Sequence, residues 1–205
     1  MKLYCCNDTC SLAAHIALRE AGLPCALVKV DLATKRTETG ADYRALYPKG
    51  YVPALQLDDG QVIGEVPAVL QYIADQAPMS GIAPANGSVA RYQLQEWLNF
   101  IGTELHMGFM PLFYPDVPPE AEAGLKERQH RRLDARLGWV AAELDQRPYL
   151  LGEHINVADF YLFTVLGWGK PAQVDIARWP ALTRYRERIA ARPHVRAALE
   201  SEGIV

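Results

Sequence analysis

The chain has 205 residues, half of them hydrophobic and 22% charged, with a net charge of −3 and a pI near 6.0. That composition belongs to a globular protein, and the length allows one large domain or two smaller ones sharing a core. It carries no electrostatic footprint for nucleic acid or an anionic membrane, and no apolar run approaches membrane-spanning length.

Lys2–Cys6 alternates as a short strand, and the chain turns polar at Asn7-Asp8 without a secretory apolar stretch, which reads as cytosolic. Ser11–Ala21 has helical composition and stops at Gly22-Leu23-Pro24, and the Val28–Asp31 region reads as a second strand. Two strands around a helix make a βαβ unit, whose strands lie parallel. Lys35–Tyr47 is polar and loop-like, with room for a short helix at Ala41–Leu46. The strands Ala54–Leu57 and Gln61–Ile63 are joined by Asp58-Asp59-Gly60, an antiparallel hairpin signal, and Val66–Ala77 follows as a closing helix. This order, β-α-β then β-β-α, is a thioredoxin-like half. The proline- and glycine-bearing stretch Pro78–Gly87 reads as a linker, and everything beyond it reads as helical. Ser88–Met110 is a long helix ended by Pro111, and Glu120–Asp145, Asn156–Trp168, Ala181–Arg192 and Val195–Glu200 are four more. The expected fold class is therefore α/β plus all-α, with a thioredoxin-like domain at 1–77, a linker at 78–87 and a helical domain at 88–205. Within the helical part, Asn156 can cap its helix while Asp159 reaches back to the first backbone N–H groups.

Val52 precedes Pro53 at a strand mouth, so it is held extended, with its own N–H and C=O open to an outside peptide. Glu65 stands at a helix start whose first turn holds Pro67, and the Val66 N–H there faces an anion. A strand mouth beside a helix N-terminus is a receptor for a short acidic peptide. Cys10 lies where the first strand gives way to the first helix. The helix dipole and nearby N–H donors there lower a thiol's pKa, so Cys10 is the expected functional thiol, whereas Cys5 and Cys6 continue a strand. Lys35 is a cation for a peptide carboxylate, and Glu65 a carboxylate for an ammonium group. On the long helix Asn99, Thr103 and His106 share one face, because offsets of four and seven residues bring side chains into line. The four cysteines and five histidines have no zinc-like or redox spacing, so neither a metal site nor a disulfide framework is expected.

Cys10-Ser11-Leu12, Pro48-Lys49-Gly50-Tyr51-Val52-Pro53, Glu96-Trp97-Leu98-Asn99-Phe100, Asn156-Val157-Ala158-Asp159 and Ile189-Ala190-Ala191-Arg192-Pro193 occur in the order found in one family. In these segments the chain resembles the cytosolic glutathione S-transferases, most closely their bacterial beta class, over almost its whole length. The resemblance implies a cytoplasmic homodimer with one glutathione site per subunit, glutathione as co-substrate, no metal, and a cis peptide before Pro53. It also implies that the Val52 backbone pairs with the cysteinyl unit of glutathione. Glu65 and the Val66 N–H take the γ-glutamyl end, Lys35 takes the glycine carboxylate, and Cys10 lies at the sulfur. Asn99, Thr103, Glu104, Leu105 and His106 fall on helix positions that line the family's site, some across the subunit interface. Val66 stands where the wider family often has serine, and Met107 where some beta-class relatives carry lysine. A hydrophobic electrophile would sit between the Asn7–Cys10 loop and Met107–Tyr114, against Met110, Phe113 and Tyr114. The expected activity is conjugation of glutathione to electrophiles, or thiol-disulfide exchange through Cys10, with His106 as a general acid. Two other readings compete. One is a non-catalytic binding or regulatory protein on the same fold; the other is a maleylacetoacetate-type isomerase, which has Ser-Ser-Cys in place of Asp8-Thr9-Cys10.

Overall fold

The computed structural model describes Met1–Ile204. Its sheet contains β1 (Lys2–Cys5), β2 (Ala26–Asp31), β3 (Arg36–Thr37), β4 (Ala54–Gln56) and β5 (Val62–Gly64), in the order β3-β2-β1-β4-β5. β1 and β2 are parallel, with Leu3 opposite Leu27, while β1 and β4 run antiparallel, with Leu3 opposite Leu55. β4 and β5 form the hairpin across Asp58-Asp59-Gly60. The two-residue period of a strand then sorts the side chains onto two faces. Leu3, Cys5 and Leu55 pack with α1 (Ser11–Glu20) and α3 (Val66–Gln76) in the main core. Tyr4, Val30, Val52 and Ala54 form a second cluster with Tyr43, which belongs to α2 (Tyr43–Leu46).

The Lys35–Tyr47 segment is thus less loop-like than its polarity implies. β3 pairs antiparallel with β2, and Tyr43 is fully buried, stacked on Tyr4 at 5.4 Å between ring centroids. The Tyr43 hydroxyl donates to the Tyr51 carbonyl at 2.7 Å, so α2 holds the turn that leads into Pro53.

α4 (Val89–Phe100) passes directly into a π-helical stretch, Ile101–His106, and then into α5 (Met107–Phe113). Pro111 lies inside α5 and does not end the helix before it, contrary to the reading from sequence. Its missing N–H costs only one bond in the final turn, and the chain closes with the Tyr114 N–H on the Met110 carbonyl at 2.9 Å. α6 (Pro119–Asp145), α8 (Pro180–Ala190) and α9 (Pro193–Glu202) each begin with proline, where the N–H would be unpaired in any case. α7 (Val157–Gly167) is buried from Val157 through Leu166, and a helix apolar on all sides is a core helix. It packs against α1, α3, α4 and α8, so both halves of the chain close on it. A second tie is Arg91 on α4, buried, which donates to both oxygens of Asp75 at 2.9 Å and to the Pro84 carbonyl at 3.1 Å.

The N-terminus of α7 carries the expected reciprocal cap. Asn156 Oδ1 accepts from the Ala158 N–H at 3.0 Å, and Asp159 Oδ2 from the Asn156 N–H at 2.8 Å. Asp159 also accepts from the Leu150 N–H and the Tyr185 hydroxyl, both at 2.9 Å, and is wholly buried. Asp159→Ala leaves the Leu150 and Asn156 N–H groups without an acceptor, at about 1–3 kcal/mol each less any relaxation, while the Tyr185 hydroxyl keeps the residue's main-chain carbonyl at 3.2 Å. Differential scanning calorimetry is expected to give a melting temperature lower by roughly 10 °C, given a few degrees per kcal/mol at this chain length. A shift no larger than about 2 °C would mean that water replaces those bonds at little cost.

Candidate functional site

Cys10 heads α1 with its thiol sulfur 3.1 Å from the Val52 carbonyl oxygen, and the Val52–Pro53 peptide is cis. Two segments about forty residues apart therefore meet at one point. The Val52 carbonyl is not open in this structure, as the sequence led one to expect, because the Cys10 thiol occupies it. An S–H is a weak donor, so a peptide N–H can replace it. The start of α1 is pinned from below by Ser11, whose hydroxyl donates to the Cys6 carbonyl at 3.0 Å and lies 3.1 Å from the Cys6 N–H.

Lys35 sits in the left-handed region at φ 58° and brings its ammonium to the same turn, donating to the Gly50 carbonyl at 3.0 Å. Glu65 follows Gly64, where any side chain would collide with the Tyr47 hydroxyl. Glu65 has φ 67°, precedes the first turn of α3, and pairs with Lys49 at 2.7 Å. The Val66 N–H is among the first donors of α3, which have no partner within the helix. From the helical half, His106 reaches this seam with Nδ1 2.7 Å from the Tyr161 hydroxyl and its ring edge-on to Trp168. Beside burial, the larger cause in each, the Glu65 carboxylate acts to raise the pKa of Cys10, His106 and Tyr161.

A model of the N-terminal domain of glutathione S-transferases matches residues 9–76, and a model of the C-terminal domain matches residues 100–193. Glutathione S-transferase GstA of Escherichia coli O157:H7 is 44% identical over the full length of both chains. The chain belongs to the glutathione S-transferase family. Within that family its fold is shared with a sphingomonad glutathione S-transferase solved in complex with glutathione, at 46% identity and a TM-score of 0.93 over the whole of both chains. A beta-class glutathione S-transferase of Sphingomonas chungbukensis is 45% identical over both whole chains, with a TM-score of 0.94. Membership makes this chain a transferase enzyme with a thioredoxin-like domain and a helical domain.

Burial pushes the Cys10 thiol up to about 12, outweighing the downward pull of the Cys10 and Ser11 amides, so the thiol is protonated at neutral pH. The helix start alone would lower the thiol's pKa, as expected from sequence, and desolvation reverses the sign. Cys5, Cys6 and Cys25 are also raised by burial. The polar stripe divides as well. The π-helical stretch takes more residues per turn than an α-helix, so His106 turns inward while Asn99 and Thr103 stay exposed. Leu105 is fully enclosed in the core, so it backs the site without facing a ligand. Glu104 turns toward α6, where Arg132 at 3.0 Å and Arg136 at 2.8 Å hold it and lower its pKa.

Tyr161, Tyr43 and Lys49 were not picked out from the sequence. Tyr43 had a signal, since Tyr43, Leu46 and Tyr47 stand at helical spacing. Tyr161 had none, because it lies 55 residues from His106 within an apolar helix. Around the expected electrophile pocket, Met107 and Tyr114 are exposed, while Met110 and Phe113 pack partly on the core.

Burial lowers the pKa of His106 from 6.5 to about 4, with Glu65 opposing the shift. It is thus a neutral imidazole near pH 7, able to donate a hydrogen bond. NMR titration should leave its ring signals unshifted from pH 8 to about 5. A histidine depressed in this way contributes stability present above pH 6.5 and lost as the pH falls toward 4, because the unfolded chain takes the proton first. A titration midpoint near 6.5 would refute the assignment.

Proposed function

We propose that the chain binds glutathione at this seam and joins its sulfur to an electrophile, with thiol-disulfide exchange at Cys10 as a second activity. The observation that carries this reading is the contact of Cys10 with the carbonyl of Val52 beside a cis proline, within the field of Glu65. The Val52 backbone pairs with the cysteinyl unit, replacing the Cys10 thiol on the carbonyl. Glu65 takes the ligand's ammonium, the Val66 N–H its adjoining carboxylate, and Lys35 the glycine carboxylate. Asn99, Thr103 and Glu104, backed by the buried Leu105, complete the site, in part from a partner subunit. Complex formation by the sphingomonad relative with glutathione supports the ligand.

A protonated Cys10 suits conjugation. Its S–H donates to the glutathione thiolate, which attacks the electrophile while the leaving group departs, and a neutral His106 adds a second hydrogen bond. Exchange uses the other form: the Cys10 thiolate attacks oxidised glutathione, the S–S bond breaks, and one glutathione thiolate leaves as the mixed disulfide forms. With the thiol raised to about 12, exchange is slow at neutral pH and quickens with pH. The physiological setting we propose is detoxification of hydrophobic electrophiles in the cytoplasm, where four free thiols stay reduced.

Titration calorimetry is expected to give glutathione binding, weakened by about tenfold in Glu65→Ala, where the ammonium loses its carboxylate. Mass spectrometry after oxidised glutathione is expected to place the adduct on Cys10 and not on Cys5, Cys6 or Cys25. No heat at millimolar glutathione, or an adduct elsewhere, would remove the respective half of the reading.

We further propose a homodimer that uses the linker-side end of α4, where Val89 is 76% and Tyr92 63% exposed. Trp97 is buried and stacks on Trp139, so it belongs to the core. Light scattering should give twice the chain mass, and Tyr92→Glu should shift the mass toward the monomer; a monomer in the parent would refute this.

A further inference from the structure

Behind Cys10 lie a carboxylate and an imidazole that the proposed reaction does not use. Glu202 on α9 and His15 on α1 have side chains only 3% exposed, with Nδ1 of the histidine 2.9 Å from Glu202 Oε1. Arg19 fixes the tautomer. Its Nε–H donates to His15 Nε2 at 2.9 Å, and because a guanidinium only donates, Nε2 carries no proton. The ring proton therefore sits on Nδ1 and goes to Glu202. The other carboxylate oxygen, Oε2, accepts from the Asp8 N–H at 3.2 Å, and the Glu202 main-chain carbonyl accepts from Asn7 Nδ2 at 2.8 Å. Asp8 is one of the few non-glycine residues with positive φ, at 56°, a left-handed conformation that aspartate adopts more readily than most side chains.

The loop that delivers Cys10 is thus tied to a carboxylate at the far end of the chain. A buried carboxylate is a poor choice for stability alone, since an apolar side chain avoids its desolvation. No apolar side chain can accept the Asp8 N–H and the His15 Nδ1–H together. We propose that Glu202, oriented by the Arg19–His15 pair, is a positioning residue that sets where the Cys10 thiol stands relative to the glutathione sulfur. The inference rests on the reading of Cys10 as the group at that sulfur. Val52, Glu65 and Lys35 anchor the rest of the ligand and lie on other segments, so the effect of Glu202 falls on the reacting sulfur and not on overall binding.

The test uses the full chain carrying Glu202→Gln or, separately, Asn7→Ala. Glutamine keeps the shape but sets an NH₂ against one of the two donors; alanine removes only the tie to the main-chain carbonyl. For glutathione conjugation to 1-chloro-2,4-dinitrobenzene, Glu202→Gln is expected to lower kcat about tenfold while KM for glutathione stays within about twofold. Carbamidomethylation of Cys10 by iodoacetamide, followed by peptide mass spectrometry, is expected to accelerate about threefold or more as the thiol leaves Val52. Asn7→Ala should move both quantities the same way by less, and decides the matter if Glu202→Gln does not fold. A lower melting temperature with kcat and alkylation both unchanged would make Glu202 merely structural and overturn the proposal. If the parent chain shows no glutathione turnover, the proposed function fails, and the alkylation rates still decide the role of Glu202.

Discussion

No side of α1 is turned to water over its first two turns: Ser11 through Leu18 are all buried, against the sheet, α3, α7 and α9. A helix enclosed in this way cannot shift along its axis without opening several contacts at once, so its N-terminus is a fixed point. That fixed point carries Cys10. Enclosure also has an electrostatic consequence, because the thiol gains two amide donors from the helix start yet loses more by leaving water. Placement is secured at the expense of thiolate character. A group so held serves better as a donor to another sulfur than as a free nucleophile.

The same enclosure orders the charges at the seam. Cys10, His106 and Tyr161, which lie inside, are all shifted toward their uncharged forms by burial. Lys35, Lys49 and Glu65, at the rim, are charged. An uncharged interior with a charged rim suits the proposed zwitterionic peptide, whose middle would lie in a drier place where hydrogen bonds to sulfur count for more.

Much of this was legible in the residues alone. Periodicity and turn residues gave the βαβ unit, the hairpin and the long helices, and Asn156-Val157-Ala158-Asp159 announced a cap because both of its partners lie within one turn. Cys10, Val52, Glu65 and Lys35 stood out because each sits at an element boundary with its own local reason. What failed was of two kinds. The π-helical stretch changes the angular spacing between Asn99 and His106, and no residue in Ile101–His106 signals it. Desolvation of Cys10 and His106 depends on side chains contributed by α7 and its neighbours, so charge state could not follow from position in an element. Glu202 and Tyr161 were invisible for the related reason that their partners lie 187 and 55 residues away.

The pair between Lys49 and Glu65 spans only 2.7 Å, yet both side chains are more than half exposed, at 55% and 64%. Such a pair contributes about 0–1 kcal/mol, so it opens readily. Its meaning lies in what it imitates. An ammonium on a tether already occupies the carboxylate that a ligand's ammonium would seek, and the tether keeps it at high local concentration. Lys49 is thus a built-in competitor. A neutral or anionic peptide end would not displace it, whereas an ammonium that also gains the Val66 N–H through its adjoining carboxylate would. In the proposed binding mode the ligand's ammonium exchanges for that of Lys49, and the freed lysine remains at hand to reclaim its place.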